Sequence, residues 1–267
     1  MDLLYGFKLL SQYEHDLELV KEGIIDPKTI ADRYRTDASY PTYTDYKGNR
    51  IEGEQGIAHI YYSGPIMEGD GFCYRGVRSM IEDLEAIDSN PRVQGVLLEL
   101  NSGGGSATAS WMLHNALQAM SKPVVTLGHL VASGAYLAAV ATHEIVSAGI
   151  GAEFGSIGAL ISLRNKDIAD MKDNYTDIYS NLSGKKNHQI RSLLAGDDGP
   201  LREKLDQLAG NFITAVKAGR PNISNKEVFE GDMYPGKLAK KYGLIDQIGT
   251  KKTAISILNR HIKSFNK

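Results

Sequence analysis

Cysteine is nearly absent from this chain: 267 residues contain one, Cys73. A single thiol excludes an intrachain disulfide framework and any cysteine-cluster metal site. Cys73 sits in the segment GDGFCYRG without a neighbouring histidine, so it reads as a loop or part-buried thiol and not as a nucleophile. An excess of one charge is also missing. Lys and Arg number 30 against 32 Asp and Glu, a net charge of -2 without long runs. That excludes the basic footprint of a nucleic-acid partner or an anionic membrane surface. No window approaches the ~18 consecutive apolar residues of a membrane span. The opening stretch MDLLYGFKLLSQYEHDLELVKEG lacks a basic start and is interrupted by Glu14, Asp16 and Glu18, unlike a signal peptide. A cytoplasmic protein without membrane insertion is the expectation. No His/Asp/Glu spacing suggests a metal site, and no cofactor is implied.

Glycine, by contrast, is abundant: 28 residues against a usual share of roughly 7%. Many lie mid-chain inside hydrophobic segments, where they mark close backbone approach and tight strand-to-helix turns. The remaining composition, 42% hydrophobic and 23% charged, is that of one large α/β domain or two small ones.

Residues 1–50 look like a helical N-terminal arm. Leu3, Leu4, Phe7, Leu9 and Leu10 suggest a short amphipathic helix, Asp26-Pro27 opens a second, and a Tyr-rich loop follows. The arm reads equally as a self-assembly or regulatory segment and as helices packed on a core. Residues 51–267 form the main domain. GIAHIYYSGPI is a strand ending at Gly64-Pro65. Val77, Met80, Ile81, Leu84 and Ile87 fall at helical spacing, and VQGVLLELN has the continuous apolar run of a buried parallel strand. ATASWMLHNALQAM is a helix, KPVVTLGHLV a strand, ASGAYLAAVAT a helix and EIVSAG a short strand. This alternation predicts a mainly parallel sheet with covering helices. FGSIGALISL reads as a turn into a strand, DIADMKDN as a helix, and YTDIYSNLSGKK as a strand leading into a polar loop. PLREKLDQLAGNFITAVKAG is a long amphipathic helix; KLAKKYGLIDQIG is a helix stopped by Gly243, then a short strand.

Three Gly-centred turns occupy this framework: Ser102-Gly103-Gly104-Gly105-Ser106, Ala132-Ser133-Gly134-Ala135-Tyr136 and Phe154-Gly155-Ser156-Ile157-Gly158. The first two each follow a strand and open a helix. Parallel sheets gather such turns at the carboxyl ends of their strands, where ligands bind. Taken singly, each turn has an ordinary use: a flexible connection, a serine helix cap, a turn residue. The glycine run is not a P-loop, since no Gly-Lys-Ser/Thr follows.

Their order is similar to that of a known family, the signal peptide peptidase A-like serine peptidases, which include head-maturation proteases of tailed phages. The family carries N-S-P-G-G after a strand, compared with Asn101 to Ser106 here. It carries A-S-G-G/A-Y, compared with Ala132 to Tyr136, and G-S-I-G, compared with Gly155 to Gly158. A late G-L-[IV]-D-x-[IL]-G pattern matches Gly243, Leu244, Asp246 and Gly249. The resemblance runs from about Gly56 to Gly249 and departs at Gly103, where the family usually has proline. It implies a Clp/crotonase-like fold of repeated β-β-α units and a Ser/Lys dyad. Ser133 would be the nucleophile, the Gly104 and Gly134 N–H groups the oxyanion hole, and Ser156 the residue that orients the lysine. The family spacing of the lysine falls on Asn187, so the base implied is Lys186, with Lys185 as the alternative. A homo-oligomer and a polypeptide substrate, in the phage subtype a scaffold or capsid segment within a prohead, also follow from the resemblance. Other readings stand beside it: an inactive relative with a structural role, a crotonase-like acyl-CoA enzyme, and a histidine base. For the last, His188 is the alternative after the lysines, while His129 and His143 read as structural or surface residues.

Overall fold

The computed structural model describes residues 42–44, 56–71 and 74–265. Most of the expected arm over residues 1–50, and Cys73, lie outside the described residues. The chain divides into two compact units, one reaching to Ile157 and resuming at Ala215, the other Gly158–Thr214.

In the first unit, β1 (Thr42–Thr44), β2 (Gly56–Ser63), α1 (Val77–Ser89), β3 (Val93–Ser102), α2 (Ala107–Ala119), β4 (Val124–Ala132), α3 (Gly134–Ala139), β5 (Glu144–Ser147) and β6 (Glu153–Gly155) come first. The second unit holds α4 (Asn165–Asp173) and α5 (His188–Leu194), and α6 (Gly199–Gly219) carries the chain back into the first. A 3-10 turn (Lys226–Glu230), β7 (Met233–Pro235), α7 (Gly236–Tyr242), β8 (Gln247–Ile248) and α8 (Lys251–Phe265) complete it.

The sheet order is β1-β2-β3-β4-β5-β8, with β6 between β4 and β7. The β2–β3, β3–β4, β4–β5, β4–β6 and β5–β8 pairs are parallel; β1–β2 and β6–β7 are antiparallel. This is the mainly parallel α/β sheet with covering helices that the strand-helix alternation predicted. The strands behave as their composition dictates: Val96, Leu97, Leu98 and Leu100 of β3 are all fully buried, as a strand covered on both faces requires. One covering layer is α8, whose Ala254, Ile255, Ile257, Leu258 and Ile262 pack with Ile57, Leu97, Val125, Leu127 and Val146. The helix α1 buries Val77, Met80, Leu84 and Ile87, the spacing that predicted it. Its N-cap, Gly76, has no capping side chain. Asp70 reaches in from the preceding loop instead, accepting from Ser79 Oγ at 2.7 Å and from Gly76 N–H at 2.6 Å. These bonds, Ser79 first, hold the Asp70 carboxyl below its ordinary range.

Strand β4 changes partner along its length. Val125–Gly128 pair with β5 and Leu130–Ala132 with β6. Against β3, Leu100 lies opposite Gly128 but Ser102 opposite Val131, so β4 carries one extra residue between. Such a bulge re-aims the strand end that follows it, and Ser133 is the next residue after β4.

Two expected strands do not form. Past β6, residues 156–164 contain no strand, and 175–187 are coil and turns. Both stretches have strand-like residues, but Leu160, Ile161 and Ile178 are exposed and no neighbouring strand in their unit offers a ladder. Conversely, β7 and α8 form where no element was read.

Candidate active site

Ser133 follows β4 at φ 52°, ψ -123°. A non-glycine residue there is strained by about 1–3 kcal/mol, and the surroundings must impose it. They do so through backbone bonds. Ser133 N–H donates to Gly155 C=O at 2.9 Å, and Ser133 C=O accepts from the N–H groups of Tyr136 and Leu137 at 2.8 and 3.0 Å. The hydroxyl does not cap α3, so the ordinary helix-cap use of this serine does not apply. The residue is part-exposed while the turn behind it, Gly134 to Val140, is buried.

The glycine turn after β3 closes directly on this turn. Gly104 has φ 92°, and a Cβ there would lie 2.8 Å from Ala132 O, Gly134 N and Ser133 Cβ alike. No side chain fits. Gly134 is equally confined, since its Cβ would overlap Ser110 Oγ, and the same direction passes 3.6 Å from Gly105 N. The Gly104 N–H is engaged, donating to the buried Ser102 Oγ at 3.1 Å. The N–H groups of Gly105 and Gly134 have no backbone acceptor among the described residues. Ile66 holds the loop from outside: its N–H donates to Gly104 O at 2.9 Å and its O accepts from Ser106 N–H at 2.8 Å.

Ser156 lies on the third turn, at φ 54°. Its N–H donates to Asp232 O at 2.8 Å, one residue after the Gly155 carbonyl that receives Ser133. The structure therefore gathers Ser133, Gly104, Gly134 and the Gly155-Ser156 turn in one unit. Tyr136 ties them to the late motif. It is fully buried, and its OH donates to Leu244 O at 2.7 Å; burial pushes the phenol well above its ordinary range. Asp246 of that motif takes both Arg220 nitrogens at 2.7 and 2.9 Å and the Ile145 N–H at 2.8 Å. Gly243 ends α7 at φ 84°, the helix stop that the sequence placed there.

Lys185 and Lys186 belong to the second unit, and both are exposed. Their loop is built by local bonds: Lys186 N–H donates to Ser183 O at 3.0 Å and His188 N–H to Lys185 O at 3.2 Å. Asn187 is left-handed at φ 53°. Arg191 lies over the Tyr179 ring at 4.7 Å and donates to Gly184 O at 2.5 Å.

The histidines find other partners. His143 accepts the Val124 N–H at the start of β4, nine residues and roughly 30 Å of strand from Ser133. Burial lowers its pKa. His129 Nε2 lies 2.8 Å from Glu99 Oε1, and His59 Nε2 lies 2.7 Å from Glu99 Oε2. Lys251 Nζ donates to His59 Nδ1 at 3.1 Å, so His59 carries its proton on Nε2 and donates to Glu99. The His59 bond first, then the His129 bond, hold Glu99 at about 2, against burial that pushes the other way. Among the described residues no acidic, histidine or cysteine group is arranged to hold a metal ion. No described helix is long and apolar enough to cross a membrane.

A strained serine between a strand and a helix lies beside amides without a backbone acceptor on a mainly parallel sheet; the class, a serine peptidase, comes with the family. The family follows from comparison. Residues 116–264 match the model of peptidase family S49, and the chain belongs to that family. A Methanocaldococcus jannaschii protein named as a protease is 29% identical over 222 residues, 78% of this chain and 71% of its own. The chloroplastic serine protease SPPA of Arabidopsis thaliana is 27% identical over 191 residues, covering 67% of this chain and 27% of the relative. The solved membrane-bound stomatin-specific protease 1510-N shares the fold with a TM-score of 0.52 and 13% identity, over 78% of this chain and 86% of that one.

Proposed function

We propose that the chain is an endopeptidase in which Ser133 attacks the scissile carbonyl and a lysine of the Ser183–Asn187 loop, Lys186 before Lys185, takes its proton. The strained φ of Ser133 is the observation that carries this reading, because a merely capping serine has no need of it. A serine hydroxyl needs a base, and a lysine serves only when neutral, which desolvation favours. Both lysines are exposed in the isolated chain, so the reading requires bound substrate or a second copy to cover them. The second unit offers surface for that: Ile178 and Leu182 are 94% and 96% exposed, as interaction sites are. The negative oxygen of the tetrahedral intermediate would sit between amides. Gly134 N–H is one donor. The family resemblance names Gly104 as the other, but its N–H already serves Ser102, and the unengaged Gly105 N–H takes the role in this reading. Ser156 would orient the lysine amine. The domain reading retains residues 1–50 as an arm before the peptidase domain. The substrate class supplied by the resemblance is the scaffold or capsid segment of a phage head.

The test is labelling of the purified chain with a fluorophosphonate, read by intact mass, against Ser133→Ala, Lys185→Ala and Lys186→Ala. Serine Oγ bonds to phosphorus, fluoride leaves, and the hydroxyl proton passes to the base. Labelling that needs Ser133 and falls ~10²-fold or more with one lysine supports the dyad. Absence of labelling in folded wild type, assembled or not, refutes it in favour of a structural role.

A further inference from the structure

The hydroxyl of Ser102 is not part of the nucleophile, base or donor set, yet it is 1% exposed and sits at the carboxyl end of β3. Its Oγ accepts the Gly104 N–H at 3.1 Å. The bond spans two residues, so it folds the chain tightly just as it leaves the sheet. Gly104 is thereby held at φ 92°, where a Cβ would have no room against Ala132, Ser133 and Gly134. The next residue, Gly105, bridges Ile66, and its own N–H carries no backbone acceptor among the described residues. Two consecutive amides thus have opposite fates. One is consumed internally, and its neighbour is presented beside the nucleophile turn.

We infer that Ser102 is a positioning residue: its hydroxyl fixes the loop so that the Gly105 N–H faces the developing oxyanion. This rests on the proposed peptidase reading of Ser133. Without the hydroxyl, the buried Gly104 N–H has no acceptor, and a small rotation of the Gly103–Gly104 peptide would seek one. That rotation moves the following amide, and a preorganised donor loses its value when it is free to turn. Ground-state binding of a ligand, made by other parts of the site, is unaffected. The Ser102 side chain itself touches no substrate.

The same fluorophosphonate separates these effects, since its phosphoryl oxygen occupies the oxyanion position. Label kinetics are measured over probe concentration to give kinact and KI for wild type, Ser102→Ala, Ser102→Thr and Thr126→Val. Thr126 is a control: equally buried, on β4, its hydroxyl bonded to that of Thr142 at 3.0 Å. The expected result for Ser102→Ala is a fall in kinact of ~10-fold or more, less than the ~10²–10³ of a donor removed outright because the Gly105 amide is misaimed and not lost, with KI within about twofold. Ser102→Thr, which restores the hydroxyl, recovers most of the rate, and Thr126→Val keeps the wild-type rate. If Ser102→Ala reacts as fast as wild type, or loses affinity and not rate, or if Thr126→Val loses as much, the inference is overturned while the peptidase reading stands. If wild type itself does not label, both fall together.

Discussion

Replacing Glu99 by Gln should remove a pH-dependent part of the stability of this fold. The carboxylate bridges His59 on β2 and His129 on β4 at 2.7 and 2.8 Å, so it ties three adjacent strands together near the end of the sheet that carries Ser133. Its pKa lies at about 2 in the folded chain, against an ordinary value of 4.5. At ~1.4 kcal/mol for each tenfold difference in proton affinity, the ceiling is about 3 kcal/mol. His129 is 44% exposed, so solvent screening brings the expected contribution to about 2 kcal/mol. The sign follows from the depressed pKa. The stabilisation is complete above the unfolded value, near pH 5 and higher, and is lost as pH falls from there toward 2. Urea unfolding of wild type and Glu99→Gln at a series of pH values measures it. The gap between the two proteins should be about 2 kcal/mol at pH 7 and should shrink steadily below pH 4.5. A gap that is absent at pH 7, or that widens on acidification, would refute the reasoning.

Two further outcomes follow from the geometry. Ser133→Gly should be more stable than Ser133→Ala by about 1 kcal/mol, because only glycine adopts φ 52°, ψ -123° without strain; thermal unfolding of the two variants side by side would expose an error if alanine proved the more stable. Tyr136→Phe removes the donor to the Leu244 carbonyl and should cost about 1–3 kcal/mol, seen as a lower urea midpoint with an unchanged slope.

Much of this was readable from local pattern. The apolar run of β3, the 3–4 spacing of α1 and the Gly243 stop each depend on a few neighbouring residues, and each forms where expected. The turns around Ser133 and Ser156 were visible as Gly-Ser combinations, and both serines do take positive φ. What was hidden is long-range. Glu99 looks like an interruption in an apolar strand until His59 and His129 arrive from 40 and 30 residues away. Ser102 looks like one more residue of a flexible glycine run, because its bond to Gly104 needs a particular backbone conformation as well as the hydroxyl. The strands expected after Gly155 fail for the complementary reason. Their residues favour extended chain, but a strand also needs a neighbour, and composition does not report whether one is there.

The Tyr136–Leu244 bond spans 108 residues. A ribosome makes the Ser133 turn long before it makes the carbonyl that anchors it. Asp246, which fastens α6 and β5 through Arg220 and Ile145, comes later still. A nascent chain paused in this interval after Gly155 would carry Ser133 with its Gly155 bond but without the Tyr136 anchor behind the turn. In such an order of synthesis, the anchor of the Ser133 turn is among the last contacts the chain can make.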